Sequence, residues 1–133
     1  MNKLPARISQ IEEAQNLHIV HFEGENYSLK MMGLELPKNV HVGSNVILGV
    51  KPSHVAIAKN LSGELSYSNQ IHATVHRIEE GTLLCSVELH VGSLVMQSFI
   101  TMASCKRMHL QVGDEVVLLM KASEVFITEV LDV

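Results

Sequence analysis

Two stretches of this 133-residue chain repeat each other, and that repeat limits the possible folds more than any other feature. Val42–Ile57, VGSNVILGVKPSHVAI, lies over Val112–Ile127, VGDEVVLLMKASEVFI, at an offset of 70, with eight of sixteen positions identical. Chance alone gives about one identity in such a window, so the chain is read as a duplicated unit. Upstream, Asn2–Glu13 lies over Asn69–Glu80 at an offset of 67, with Asn, Ala and the Ile-Glu-Glu triplet in step. A three-residue indel between the blocks accounts for the two offsets. The reading is a first unit over 1–60, a linker over 61–68 and a second unit over 69–133. Lys59–Ser68, KNLSGELSYS, carries the Asn, Gly and Ser of turns and linkers. Units of about 60 residues are marginal alone, so the halves are expected to pack together or the chain to oligomerise.

The periodicity is that of strands. Ile71–Ile78 and Leu84–Val91 alternate apolar and polar residues, with Glu80-Gly81-Thr82 as a hairpin signal between them. Val91-Gly92-Ser93-Leu94 turns into a third strand through Ile100. Glu115–Lys121 and Glu124–Val130 are two more β-branched runs. Ala103–Leu110 is the one candidate short helix, placed before the fourth strand. The first half reads alike, with Gly24-Glu25-Asn26 as its hairpin turn and Pro37 ending any short helix. The expectation is an all-β chain of two tandem OB-like five-stranded barrels, each with a short helix before its fourth strand.

Composition narrows the function. The formal charge is −4 and only 4% of residues are aromatic. A nucleic-acid surface needs a basic face, and single-strand binders stack bases on aromatic rings, so nucleic acid is not expected as a partner. No apolar run precedes the first charges, and none approaches a membrane span of about 20 residues, so a cytoplasmic chain without membrane insertion is expected.

Two cysteines, Cys85 and Cys105, are too few for a disulfide scaffold and read as half-buried thiols. Eight histidines are many, but their spacing builds no metal site. His72 and His76 on one strand stand roughly 13 Å apart, and His18 and His21 fall on opposite faces. They read as scattered surface residues, with no direct cation ligation. Glu12-Glu13 and Glu79-Glu80 read as solvated turn charges. No GxSxG elbow or other catalytic constellation occurs, so an enzyme is not expected.

Ordered short motifs in the second half follow one pattern. Ser66-Tyr67-Ser68-Asn69-Gln70 opens it, then come Val75–Gly81, Phe99-Ile100-Thr101, Val112–Val116 and Lys121-Ala122-Ser123-Glu124-Val125. Residues 66–130 in this order resemble the Mop domain of the molbindins, also called the TOBE domain. Ile47–Val55, ILGVKPSHV, is similar to the corresponding stretch of TOBE domains in importer ATPases. Two Mop units without the GxxxxGK[ST] loop of an ATPase resemble a di-Mop molbindin. The resemblance implies cytoplasmic binding of molybdate or tungstate for storage or homeostasis, with no cofactor, at sites between Mop units of a homo-oligomer, dimer or trimer. It also admits another role: a regulatory or interaction module, related to importer TOBE domains and docking on such an ATPase, with little anion binding.

Carried over position by position, the family's ligand groups fall on Ser66, Thr101, Lys121, Ala122 and Ser123, within a start motif that includes Ser68 and Asn69. The family's Arg is replaced by Ser68, which removes a cation. Such residues suit a tetrahedral dianion that only accepts hydrogen bonds. Backbone N–H groups in turns form anion-binding concavities, hydroxyls add rotatable donors, and a Lys adds charge. In the first half Lys51-Pro52-Ser53 keeps the Lys and Ser, but Pro52 has no N–H. Met31 aligns with Thr101, and no serine matches Ser66. Lys51, Pro52 and Ser53 are therefore read as a weaker or vestigial site.

Overall fold

The computed structural model describes residues 1–131. Its strands are β1 (Asn2–Ala14), β2 (Leu17–Gly24), β3 (Tyr27–Gly33), β4 (Asn45–Val50), β5 (Ala56–Ala58), β6 (Asn69–Glu80), β7 (Leu84–Val91), β8 (Leu94–Thr101), β9 (Glu115–Met120) and β10 (Phe126–Leu131). One helix, α1 (Met102–Arg107), stands before β9, and single 3₁₀ turns, Pro52–His54 and Ala122–Glu124, precede β5 and β10. The chain is all-β, as its periodicity indicates.

The alternation decides what is buried. Along β6 the inward residues Asn69, Ile71, Ala73 and Val75 alternate with exposed Gln70, His72, Thr74 and His76. Along β1 the inward set is Asn2, Leu4, Ala6 and Ile8. The apolar faces of both halves merge into one core that includes Phe22, Leu48, Leu89, Met96, Leu118 and Met120. Each fully buried Leu, Met or Phe side chain contributes about 1.5–3 kcal/mol over leaving it in water.

The repeat is visible in the ladders. Asn2 pairs with Val50 and Asn69 with Met120, at the two offsets of the sequence. Each long first strand slips register once, between Ile8 and Gln10 and between Val75 and Arg77, so equivalent bulges sit at Ser9 and His76. The two offsets meet between the third and fourth strands. There the second half carries α1, while the first half spans 34–44 without a helix, so the short helix expected in both halves forms in one. Thr101 starts α1: its Oγ1 accepts the Ser104 N–H at 3.1 Å. The first-half connection is shorter and carries Pro37. The helix runs over 102–107, not to Leu110, and Glu124, the expected start of the fifth strand, belongs to a 3₁₀ turn, so that strand begins at Phe126.

Each sheet takes its fifth strand from the other half. The two five-stranded sheets run β10-β4-β1-β2-β3 and β5-β9-β6-β7-β8. Residues 56–58 of the first half thus pair with β9, and residues 126–131 of the second half pair with β4. At the crossing Phe126 opposes Gly49, whereas at the equivalent place Ala56 opposes Leu119. The large and small partners have changed sides. A Cβ on Gly49 would lie 2.5 Å from Thr128 Cγ2 and 3.0 Å from the Phe126 ring, so β10 lies flat on β4 only over a glycine.

Candidate functional site

Both Lys-x-Ser segments fold into the same local shape. Lys51 and Lys121 are extended, at φ/ψ of −68/140° and −70/141°, and each carbonyl accepts the N–H three residues on. The His54 N–H donates to Lys51 O at 2.8 Å and the Glu124 N–H to Lys121 O at 2.9 Å. In such a turn the first two N–H groups have no partner within the turn. In the second half both belong to residues that can donate, Ala122 and Ser123. In the first half one belongs to Pro52, which has none.

Strand exchange carries each turn to the opposite half. The Ala122–Glu124 turn packs against β3 and the Pro52–His54 turn against β8. Ser66, Tyr67 and Ser68 come alongside Lys121, Ala122 and Ser123, and with Met32 of β3 they line a cavity of about 370 Å³. The cavity thus holds one ammonium, three hydroxyl-bearing serines and a turn with free N–H groups, beside a thioether from the first half. Among the described residues no carboxylate lines it, which suits an anion.

Asn69 and Thr101 stand elsewhere. Asn69 is fully buried, with its Oδ1 accepting the Lys30 N–H at 2.7 Å and its Nδ2 donating to Lys30 O at 2.9 Å. Asn2 holds Gln97 in the same way, at 2.7 and 2.8 Å. Residues 30 and 97 are equivalent in the repeat, so the two Asn side chains are reciprocal clamps between the halves. Thr101, at the end of β8, is engaged as the cap of α1 and is not among the residues lining the Lys121 cavity. The ladders also correct one alignment. Met31 pairs with Val20 as Ser98 pairs with Val87, so Met31 corresponds to buried Ser98, and Leu34 to Thr101. The indel falls after these strands, so the offset there is still 67.

Sequence reading passed over several groups. Met32 reaches the cavity only because strand exchange brings the Ala122–Glu124 turn against β3. His54 Nδ1 lies 3.3 Å from Glu124 Oε2, joining the two turns. Glu12 and Glu13, expected as free turn charges, pair with His21 at 2.6 Å and His18 at 3.1 Å. Cys85 and Cys105 are buried, and burial foremost, with Cys105 beside it, pushes the Cys85 thiol up to about 12, which leaves it unreactive.

No curated protein matches the sequence. Residues 65–127 match the family model of the TOBE domain. Among solved structures, the chain superposes on a crystal form of the cytoplasmic molybdate-binding protein ModG with molybdate bound, at a TM-score of 0.89 and 24% identity, covering 95% of this chain and 94% of that one. The match runs through both halves, so the whole described fold is shared with the solved protein. No described helix is long and apolar enough to cross a membrane. Residues 65–127 are therefore similar to the TOBE domain, on a chain that shares the fold of a molybdate-binding protein.

Proposed function

We propose that this chain binds molybdate or tungstate in the cytoplasm, for storage or homeostasis of the metal, and is not an enzyme. The observation that carries this reading is the cavity where Ser66, Ser68, Lys121, Ala122 and Ser123 converge, with no carboxylate among the described residues that line it. A dianion that carries no proton accepts from every side, and every polar group named there can donate. The fold shared with molybdate-binding ModG supports the choice of anion.

The ligand set is Ser66, Ser68, Lys121, Ala122 and Ser123, at the junction of two tandem Mop units with barrels over 1–60 and 69–133 and a linker over 61–68. Asn69 acts behind it as a clamp. Thr101 lies outside this cavity, and a ligand contact of its own would require a second copy, in a homodimer or homotrimer. Lys51, Pro52 and Ser53 form the weaker site, because Pro52 removes one of its two N–H donors.

Calorimetric titration with molybdate and tungstate, with sulfate and phosphate as controls, tests the proposal. Saturable heat with either metal oxyanion at micromolar protein is expected. Heat with none of the four would overturn it. One observation favours a second reading: Ser68 stands where the family carries Arg, so among the described residues Lys121 is the one cation lining the cavity. An interaction module that docks on an importer ATPase would give no anion binding and would retain the ATPase in a pull-down.

A further inference from the structure

The outer face of the second sheet carries a cluster unrelated to the oxyanion cavity. His76 on β6 and Glu88 and His90 on β7 each place one ligand atom within 4.8 Å of the others. The imidazoles of His76 and His90 stack with ring centroids 4.0 Å apart and planes 19° from parallel. His76 Nε2 stands 3.9 Å from Glu88 Oε2, beyond hydrogen-bond distance. We propose that His76, Glu88 and His90 bind a divalent first-row transition cation of the zinc class.

The donor set fits such an ion. Two imidazoles and one carboxylate are borderline ligands that zinc accepts, leaving a fourth position for water. Tetrahedral zinc at its usual bond lengths holds ligand atoms ~3.3 Å apart. The three side chains have only a short distance to close, and all lie on a solvated face where ring torsions are soft. His90 also lines a cleft of about 460 Å³ with His72, Thr74 and Glu115, which leaves room for the water.

The β-bulge builds the cluster. Thr74 pairs with His90 and Arg77 with Glu88, so His76 is the extra residue between those two rows. A bulge re-aims its extra side chain, here toward both partners on β7. The Arg77 guanidinium, which would otherwise neutralise Glu88, is held by Glu79 at 2.7 Å. The equivalent first-half positions are Ser9, His21 and Glu23. There Ser9 donates to a backbone carbonyl, His21 pairs with Glu12, and Glu23 accepts from Ser28. The bulge is duplicated, while the ligand set occurs in the second half.

The test uses the full chain, freed of metal by chelation and titrated with Zn²⁺ by calorimetry and with Co²⁺ by visible absorption. One Zn²⁺ per chain is expected, with Co²⁺ bands of a nitrogen- and oxygen-ligated ion. His76→Ala and His90→Ala should each weaken binding more than about tenfold. His21→Ala serves as a matched control and should leave it unchanged. All three residues are at the surface of the sheet, so circular dichroism should show folded variants. No binding at millimolar Zn²⁺, or equal binding by the His76→Ala/His90→Ala double variant, would overturn the proposal. Molybdate titration is read separately, so neither result depends on the oxyanion site.

Discussion

His54 and Glu124 meet at 3.3 Å although they are the same position of the repeat, one from each half. An identical pair would bring two carboxylates or two imidazoles together at this place. The duplicated chain has resolved the conflict by divergence, and the contact joins the two Lys-x-Ser turns. His54→Glu should lower stability by up to about 1 kcal/mol, because the pair is partly solvated. The deficit should shrink in high salt, where exposed charges are screened. Urea denaturation at two salt concentrations measures it, and a salt-independent deficit would mean that packing, not charge, is the cause.

Lys121→Ala should weaken molybdate binding about ten- to a hundredfold, the worth of one charge-assisted hydrogen bond. Lys51→Ala should change it far less, since Pro52 removes an N–H from that turn. Calorimetry on both variants decides it, and equal losses would show that the two turns contribute alike.

Thr101→Val removes the cap of α1 and should cost about 1 kcal/mol of stability. In a single chain it should leave oxyanion affinity within about twofold, because a residue outside the cavity loses no ligand hydrogen bond. A thermal melt and a titration on one preparation separate the two effects. A large loss of affinity at full saturation of the fold would place Thr101 in a site shared between copies.

Gly49→Val drives a side chain into Thr128 and Phe126 and should cost about 1–3 kcal/mol as overpacking. Adding Phe126→Ala should recover part of that loss, because the two positions touch and their effects do not simply add. Denaturant midpoints of the single and double variants test this, with strict additivity as the contrary result.

Asp114 ties the end of the first half to the second. Its carboxylate accepts the Gln111 N–H at 2.8 Å and pairs with Lys59 at 3.0 Å, and these two contacts hold it below its ordinary value of 3.8. A depressed carboxylate stabilises the fold above pH 3.8 and loses that contribution as pH falls through its lower folded value. Asp114→Asn should therefore be less stable than the parent at neutral pH, and the difference should close in acid. Urea midpoints across the acid range test the direction. A gap that widens in acid would contradict it.

Much of the fold was legible because strands announce themselves locally. The alternation in β6 and β7 and the Gly turns gave the class, and the repeat gave the equivalence of the halves. Strand exchange was not legible, because Ala56–Ala58 and Phe126–Leu131 carry the same apolar pattern whichever half they join. Of the candidate site, Ser66–Ser68 and Lys121–Ser123 came from motif order and do converge on one cavity. Asn69 belongs to the same motif, yet its amide serves Lys30, a contact 39 residues away that no spacing encodes. The His76, Glu88 and His90 cluster escaped a search for spacings along one strand, because its partners sit on adjacent strands and a bulge sets their alignment.

The crossing of β10 onto β4 also orders events during synthesis. β1 to β4 can pair as soon as they emerge, but their sheet keeps a bare edge along β4 until Phe126–Leu131 is made. That edge is a row of unpaired N–H and C=O groups, open to the same strand of another chain. A nascent chain crowded by its siblings can therefore trade final strands between molecules, and domain-swapped assemblies are the misfolding route this topology invites.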